Sequence, residues 1–226
     1  MSTTEADDRT GSTAAAHPFG GSPLQPPTRQ PDERTLPHPL LEPPDPNTGR
    51  ASLTVERSFA FVDICGFTSY CEHYGEHLAL DLLIEFRQIT RAVVARRAVR
   101  VSKWLGDGVM IVSLEPALLA AACAEISLRC GMDGLDTHAG IATGSVLLLE
   151  GDDYVGRTVN LAARLCDAAA LGQTLTAGPL TALPPWLGTG PPAMVELAGM
   201  DALVEAIPLV VDDTVCRAFA VDSSVA

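Results

Sequence analysis

Residues 100–114 read RVSKWLGDGVMIVSL. Two short apolar runs, Arg100–Leu105 and Val109–Leu114, flank Gly106-Asp107-Gly108, and an Asp-Gly pair between such runs is the signal of a tight β-hairpin. Upstream, SFAFVDI (58–64) reads as a buried strand. Between it and the hairpin, Ala79, Leu82, Leu83, Phe86, Ile89, Val93 and Val94 recur at helical spacing, which predicts a long amphipathic helix. Downstream, Pro116 opens a second helix to about Cys130, because proline is well placed in a first helical turn. A strand is expected over Thr137–Thr143, continuing or bending through Val146–Leu149. A third helix is expected over Thr158–Ala170 and a further strand over Gln173–Ala177. The order β-α-β-β-α-β is the ferredoxin-like arrangement, an α+β core.

Outside this core the chain changes character. Residues 1–50 hold ten of the seventeen prolines. Proline removes backbone donors and fixes φ, so residues 1–51 are expected to form a disordered tail, 52–212 the folded domain and 213–226 a C-terminal tail. The net charge is −13, and 14 of the 15 cations are arginine, Lys103 being the exception. Such a balance argues against nucleic acid and against a polybasic membrane patch, since both require a cationic face. No uninterrupted apolar run reaches the length of a bilayer span; the candidate around Ala117–Leu128 is broken by Glu125. The N-terminus lacks the apolar segment of a secretory signal. The six cysteines show no CxxC spacing, which argues against structural zinc and fits reduced thiols in a cytoplasmic protein.

Four positions stand out chemically. Asp63 ends a strand and precedes the turn ICGFT (64–68), where it serves either as a turn or capping residue or as a carboxylate facing a helix N-terminus that binds phosphate. Asp107 is what a tight hairpin turn favours in any case. A ferredoxin-like sheet would nevertheless bring Asp63 and Asp107 to one end, and paired carboxylates hold hard divalent cations suited to phosphoryl displacement. Asn160 and Arg164, at i and i+4, share a helix face. They form either an exposed polar stripe or, with Val159, Leu161, Ala162 and Leu165 beside them, a buried pair in need of a ligand. Asp152 and Asp153 read most simply as a solvated turn.

The segments FAFVDICGFT, KWLGDG and DYVGRTVNLAARL, in this order, resemble the class III nucleotide cyclases, over roughly residues 55–210. The resemblance implies the cyclase catalytic fold, a ferredoxin-like βαββαβ core with C-terminal additions. It implies that Asp63 and Asp107, with the Ile64 carbonyl, hold two Mg²⁺ or Mn²⁺ ions, and that Phe67 and Thr68 lie in the turn approaching the triphosphate. Lys103 and Asp153 match the two purine-selecting positions in their adenine form. Asn160 matches the ribose-orienting residue and Arg164 the transition-state arginine. The activity implied is adenylate cyclase, converting ATP to cyclic AMP and pyrophosphate in sites shared across a head-to-tail homodimer. The alternatives are a guanylate cyclase, disfavoured by Lys103 and Asp153, and a cyclase-like nucleotide-binding or regulatory domain with weak or no turnover.

Three features depart from the pattern. Ala198, in Glu196-Leu197-Ala198-Gly199, stands where relatives commonly carry a triphosphate-binding lysine. His138 stands where an arginine often reaches the phosphates. The segment Leu147–Asp153 is shorter than the dimerisation arm of many relatives. Fewer cationic anchors would leave more of the triphosphate charge to the metals.

Overall fold

The alternation in FAFVDI separates two faces of a sheet. In the computed structural model, which describes residues 53–149, 153–178, 180–212 and 214–215, strand β1 spans Leu53–Ile64. Its Ala60, Val62 and Ile64 point into one core and its Phe59 into another. Strands β2 (Arg100–Leu105) and β3 (Gly108–Ser113) form the expected hairpin, and β4 (Thr137–Leu149) runs as one continuous 13-residue strand. The sheet begins β2-β3-β1-β4, with each neighbouring pair antiparallel. This is the ferredoxin-like order expected from the sequence.

Between β1 and β2 the chain forms two helices, α1 (Phe67–Tyr74) and α2 (Glu76–Arg96), which meet at Gly75. Only α2 has the apolar stripe that periodicity can detect. α1 buries no residue, and so it left no signal in the sequence. Phe67 and Thr68, expected in a turn, are instead the first two residues of α1. Helix α3 (Pro116–Met132) is apolar on nearly all sides and lies in the core with α2. Phe86, Val93, Leu119 and Ile126 pack there against Val62, Ile111 and Ile141, each fully buried or nearly so. Burial of such side chains contributes about 1.5–3 kcal/mol each.

Glu125, which interrupts the apolar run of α3, is 1% exposed. Its carboxylate accepts from Arg96, from Arg97 at 2.8 Å and from Arg129 at 2.9 Å. Burial pushes this carboxyl up. The hydrogen bonds from Arg129 and Arg97 and the charges of Arg97 and Arg96 outweigh that effect and hold it below the usual range.

The opposite face of the sheet carries α4 (Arg157–Ala168), reached from β4 through the short strand β5 (Asp153–Val155). Here Phe59, Met110, Val112, Ala142 and Ala162 form a second core. The helix lies so close to β4 that a Cβ at Gly140 would sit 2.1 Å from the backbone nitrogen of Cys166. No side chain fits at that crossing.

The sheet then extends beyond the βαββαβ unit. β6 (Thr174–Ala177) pairs parallel to β4, and β9 (Val204–Val211) pairs antiparallel to β6. β9 also carries β7 (Leu187–Thr189) and β8 (Ala193–Val195). Among the described residues no helix is long and apolar enough to cross a membrane. The Pro-rich segment 1–51 lies outside the described residues, as does most of 213–226.

Candidate functional site

Two clefts open along α4, and they share no lining residue. The first, about 210 Å³, is bounded by Asp63, Asp107 and Gly108 and by Ala163, Cys166 and Asp167 from the C-terminal half of α4. Asp63 is placed by register: its sheet partners are Gly108 on β3 and His138 on β4. Gly108 leaves room for it there, because a Cβ would come within 2.6 Å of Asp63 Oδ1 and displace that carboxylate. The glycine therefore allows the Asp63 carboxylate to lean over the hairpin toward the turn that carries Asp107. Burial raises the Asp107 carboxyl above its ordinary value, and the nearby charge of Asp63 adds to this. A carboxyl whose ionisation is opposed by a neighbouring carboxylate favours a cation between the two.

The hairpin is anchored from outside the cleft. Arg87 on α2 donates to the Gly106 carbonyl at 3.3 Å and stacks over the Trp104 ring at 5.1 Å, beside Arg91 at 5.3 Å. Below the turn after β1, α1 presents its first N–H groups, the earliest helical bond being Tyr70 N–H to Gly66 O. The N–H groups of Phe67, Thr68 and Ser69 thus precede the helical ladder and are available to an anion.

His138 occupies a place that sequence reasoning did not foresee. Its Nε2 lies 3.6 Å from Asp63 Oδ2, and its Nδ1 lies 3.3 Å from the Ala169 carbonyl. A carbonyl can only accept, so Nδ1 carries the proton of that contact. The Asp63 carboxylate facing it holds the imidazole above its ordinary value, against the opposing effect of burial. His138 is therefore engaged with the Asp63 carboxylate. The sequence had placed it as a stand-in for a phosphate-binding arginine, and only the β1–β4 register reveals the pairing.

The second cleft is larger, about 870 Å³, and is lined by Tyr154, Arg157, Asn160 and Arg164 on one side and Ala198 to Ala202 on the other. Asn160 and Arg164 share one helix face as expected, but both are exposed. Of the two readings left open for them, the exposed polar stripe is the one observed: the buried residues of α4, Ala162, Leu165 and Cys166, pack toward the sheet, while Val159 and Ala163 line the clefts. Arg164 pairs with Asp167 at 2.8 Å, one turn along. Ala198 faces Asn160 and Arg164 across this cleft, so a lysine at position 198 would have reached it.

Asp153 corrects the expectation of a solvated turn, since it begins β5. Its Oδ1 accepts from Lys103 Nζ at 2.6 Å and from the Tyr154 N–H at 2.9 Å. The Lys103 hydrogen bond, with the Lys103 charge, holds Asp153 below the usual carboxylate range, partly offset by desolvation. Asp152 lies outside the described residues. A third cleft, about 400 Å³, lies between α3 and strands β6 and β9; none of its lining side chains is charged.

The structure brings together Asp63 with Asp107, and Lys103 with Asp153. It places Asn160 and Arg164 in a cleft separate from the two aspartates. Among the described residues no group of three or more His, Cys, Asp and Glu side chains forms a ready cage for a metal.

No family model matches the chain. It is 40% identical over 166 residues to an uncharacterised protein of Mycobacterium tuberculosis, covering 71% of this chain and 43% of that protein. It is 30% identical over 130 residues to an adenylate cyclase of Glutamicibacter nicotianae, covering 57% of this chain and 32% of the relative. The chain thus spans less than half the length of these curated relatives. Its fold matches the crystal structure of the adenylyl cyclase CyaB from P. aeruginosa with a TM-score of 0.59 at 22% identity, covering 71% of this chain and 96% of that one. A guanylyl cyclase, Cya2, matches comparably, so the fold does not distinguish the two purines.

Proposed function

Because the chain belongs to the class III nucleotide cyclases in fold and in sequence, we propose that it is an adenylate cyclase forming 3′,5′-cyclic AMP and pyrophosphate from ATP. The observation that carries this reading is the Lys103–Asp153 pair beside a cleft that presents Asn160 and Arg164. Lysine has donors and no acceptor, so it suits adenine N1. Asp153 keeps its Oδ2 for the exocyclic amine, because the two bonds described above fall on Oδ1. Guanine presents N1–H and O6 at these edges, and the pair would meet donor with donor and acceptor with acceptor.

Asn160 would orient the ribose, and Arg164 would exchange Asp167 for the α-phosphate. A well-placed donor there is worth about 3–4 kcal/mol of transition-state stabilisation. Asp63, Asp107 and the Ile64 carbonyl would hold the divalent cations, and the N–H groups of Phe67 and Thr68 would meet the triphosphate. Two bound cations would neutralise the phosphates and lower the pKa of the attacking 3′-hydroxyl. The half holding the aspartates and the half holding Asn160 and Arg164 lie in separate clefts of one chain. A head-to-tail homodimer, which places the first cleft of one protomer against the second cleft of its partner, would complete two sites.

A second reading, a nucleotide-binding domain with weak turnover, draws on Ala198. The cleft that would receive the triphosphate lacks a cation at that position. The deciding experiment is cyclic nucleotide production by the purified protein, comparing ATP with GTP in Mg²⁺ and in Mn²⁺. Cyclic AMP is expected. Cyclic GMP as the main product would overturn the purine assignment, and nucleotide binding without product would favour the second reading.

A further inference from the structure

Strand β2 is irregular at one point, and that point determines where Lys103 faces. Arg100 pairs with Val112 and Val101 with Ile111, after which the register shifts and Lys103, not Ser102, pairs with Met110. In a regular strand, residues three apart point to opposite faces. Val112 and Met110 belong to the same core, the one beneath α4, whereas Ile111 belongs to the other. The bulge at Ser102 therefore turns Arg100 and Lys103 to one face, as bulges characteristically re-aim side chains.

Both reach the same short strand. Lys103 Nζ meets Asp153, and Arg100 Nη2 donates to the hydroxyl of the adjacent Tyr154 at 3.0 Å. Tyr154 is 8% exposed, and its ring packs edge-on against Phe59 at 5.1 Å between centroids. Its N–H holds Asp153 Oδ1, and the residue also lines the cleft of Asn160 and Arg164. The ring thus fixes β5 over the sheet, and the hydroxyl fixes it laterally to β2.

We propose that the Arg100–Tyr154 hydrogen bond is a positioning element for purine choice, holding the Asp153 carboxylate in register with Lys103 so that both meet one base edge. The inference rests on the adenine reading above and adds to it two residues that do not themselves touch the base. Tyr154→Phe keeps the ring on Phe59 and removes only the hydroxyl. Loss of one hydrogen bond corresponds to about a three- to tenfold change in an equilibrium constant. The consequence should fall on the difference between purines, because a displaced Asp153 loses the adenine amine and no longer repels guanine O6.

The test measures equilibrium binding of 3′-deoxy-ATP and 3′-deoxy-GTP, which lack the attacking hydroxyl, to the wild-type protein and to Tyr154→Phe in Mn²⁺. Thermal melting and Mn²⁺ affinity are measured alongside. The expected result is a wild-type preference for the adenine analogue that narrows about three- to tenfold in Tyr154→Phe, with Mn²⁺ affinity unchanged. A variant that keeps the full preference, or weakens both analogues equally, would overturn the positioning role and leave the adenine reading intact. A wild-type protein with no preference would overturn the adenine reading and this inference together.

Discussion

The two clefts beside α4 are built in opposite ways. The Asp63–Asp107 cleft is small, and its carboxylates sit at the ends of core strands whose neighbours Val62 and Val109 are 1% exposed. Their charges reinforce one another, and His138 answers Asp63 from the protein side. The Asn160–Arg164 cleft is about four times larger; two cations in and beside it are paired within the chain, Lys103 to Asp153 and Arg164 to Asp167, and Arg157 also lines it. One region is preorganised and short of positive charge. The other is lined and flanked by cations, and on the proposed reading a bound nucleotide would replace the partners of two of them. On the proposed reading, a metal-bound triphosphate and its base would draw on both.

The largest expected effect tests the first region. Asp107→Ala should lower ATP cyclisation at least about a hundredfold and abolish tight Mn²⁺ binding measured by titration. The metal-free protein should melt no earlier than wild type, because a carboxyl whose ionisation is opposed by burial and by Asp63 has been removed. Retained Mn²⁺ binding would remove Asp107 from the metal site. In the second region, Lys103→Glu places two carboxylates together and should reduce ATP turnover about ten- to a hundredfold, the scale of a charge-assisted hydrogen bond. Unchanged kcat/KM for ATP would take Lys103 out of base recognition.

A control lies outside both clefts. Glu125→Ala leaves three guanidinium groups without their carboxylate and should cost about 2–3 kcal/mol, below the fully buried case because Arg96 and Arg129 are partly exposed. Since the folded carboxyl is held below its unfolded value, this stabilisation is present above the unfolded value of about 4.5. It is lost as pH falls through the depressed folded value. Wild type and variant should therefore converge in melting temperature at acid pH and diverge toward neutrality. Activity per folded molecule should be the same in both.

What the sequence revealed, and what it hid, follows the same division. The hairpin, the α2 stripe and the βαββαβ order were readable because each is a local pattern of period 2 or 3.6. The nearness of Asp63 to Asp107 followed from that order. Helix α1 was hidden because it buries nothing, and β7 and β8 because each is three residues long in a Pro- and Gly-rich stretch. The contact of His138 with Asp63 depends on the register of two strands more than 70 residues apart in sequence, which no local pattern encodes. The bulge at Ser102 was hidden for a related reason, since simple alternation sends Arg100 and Lys103 to opposite faces. The exposure of Asn160 and Arg164 stayed open between two readings, because the sequence does not show that α4 turns Ala162 and Leu165 to the sheet while Asn160 and Arg164 line the cleft.

The central claim is that each chain carries two incomplete halves, and mixing tests it most directly. Asp63→Ala and Arg164→Ala chains should each be inactive alone, one lacking a metal carboxylate and the other its phosphate-facing cation. Mixed in equal amounts, they should regain about a quarter of wild-type cyclic AMP production, because half of the random dimers are heterodimers and each of these has one intact site of two. A mixture as inactive as its parents, with mixed dimers demonstrated in solution, would contradict the shared site.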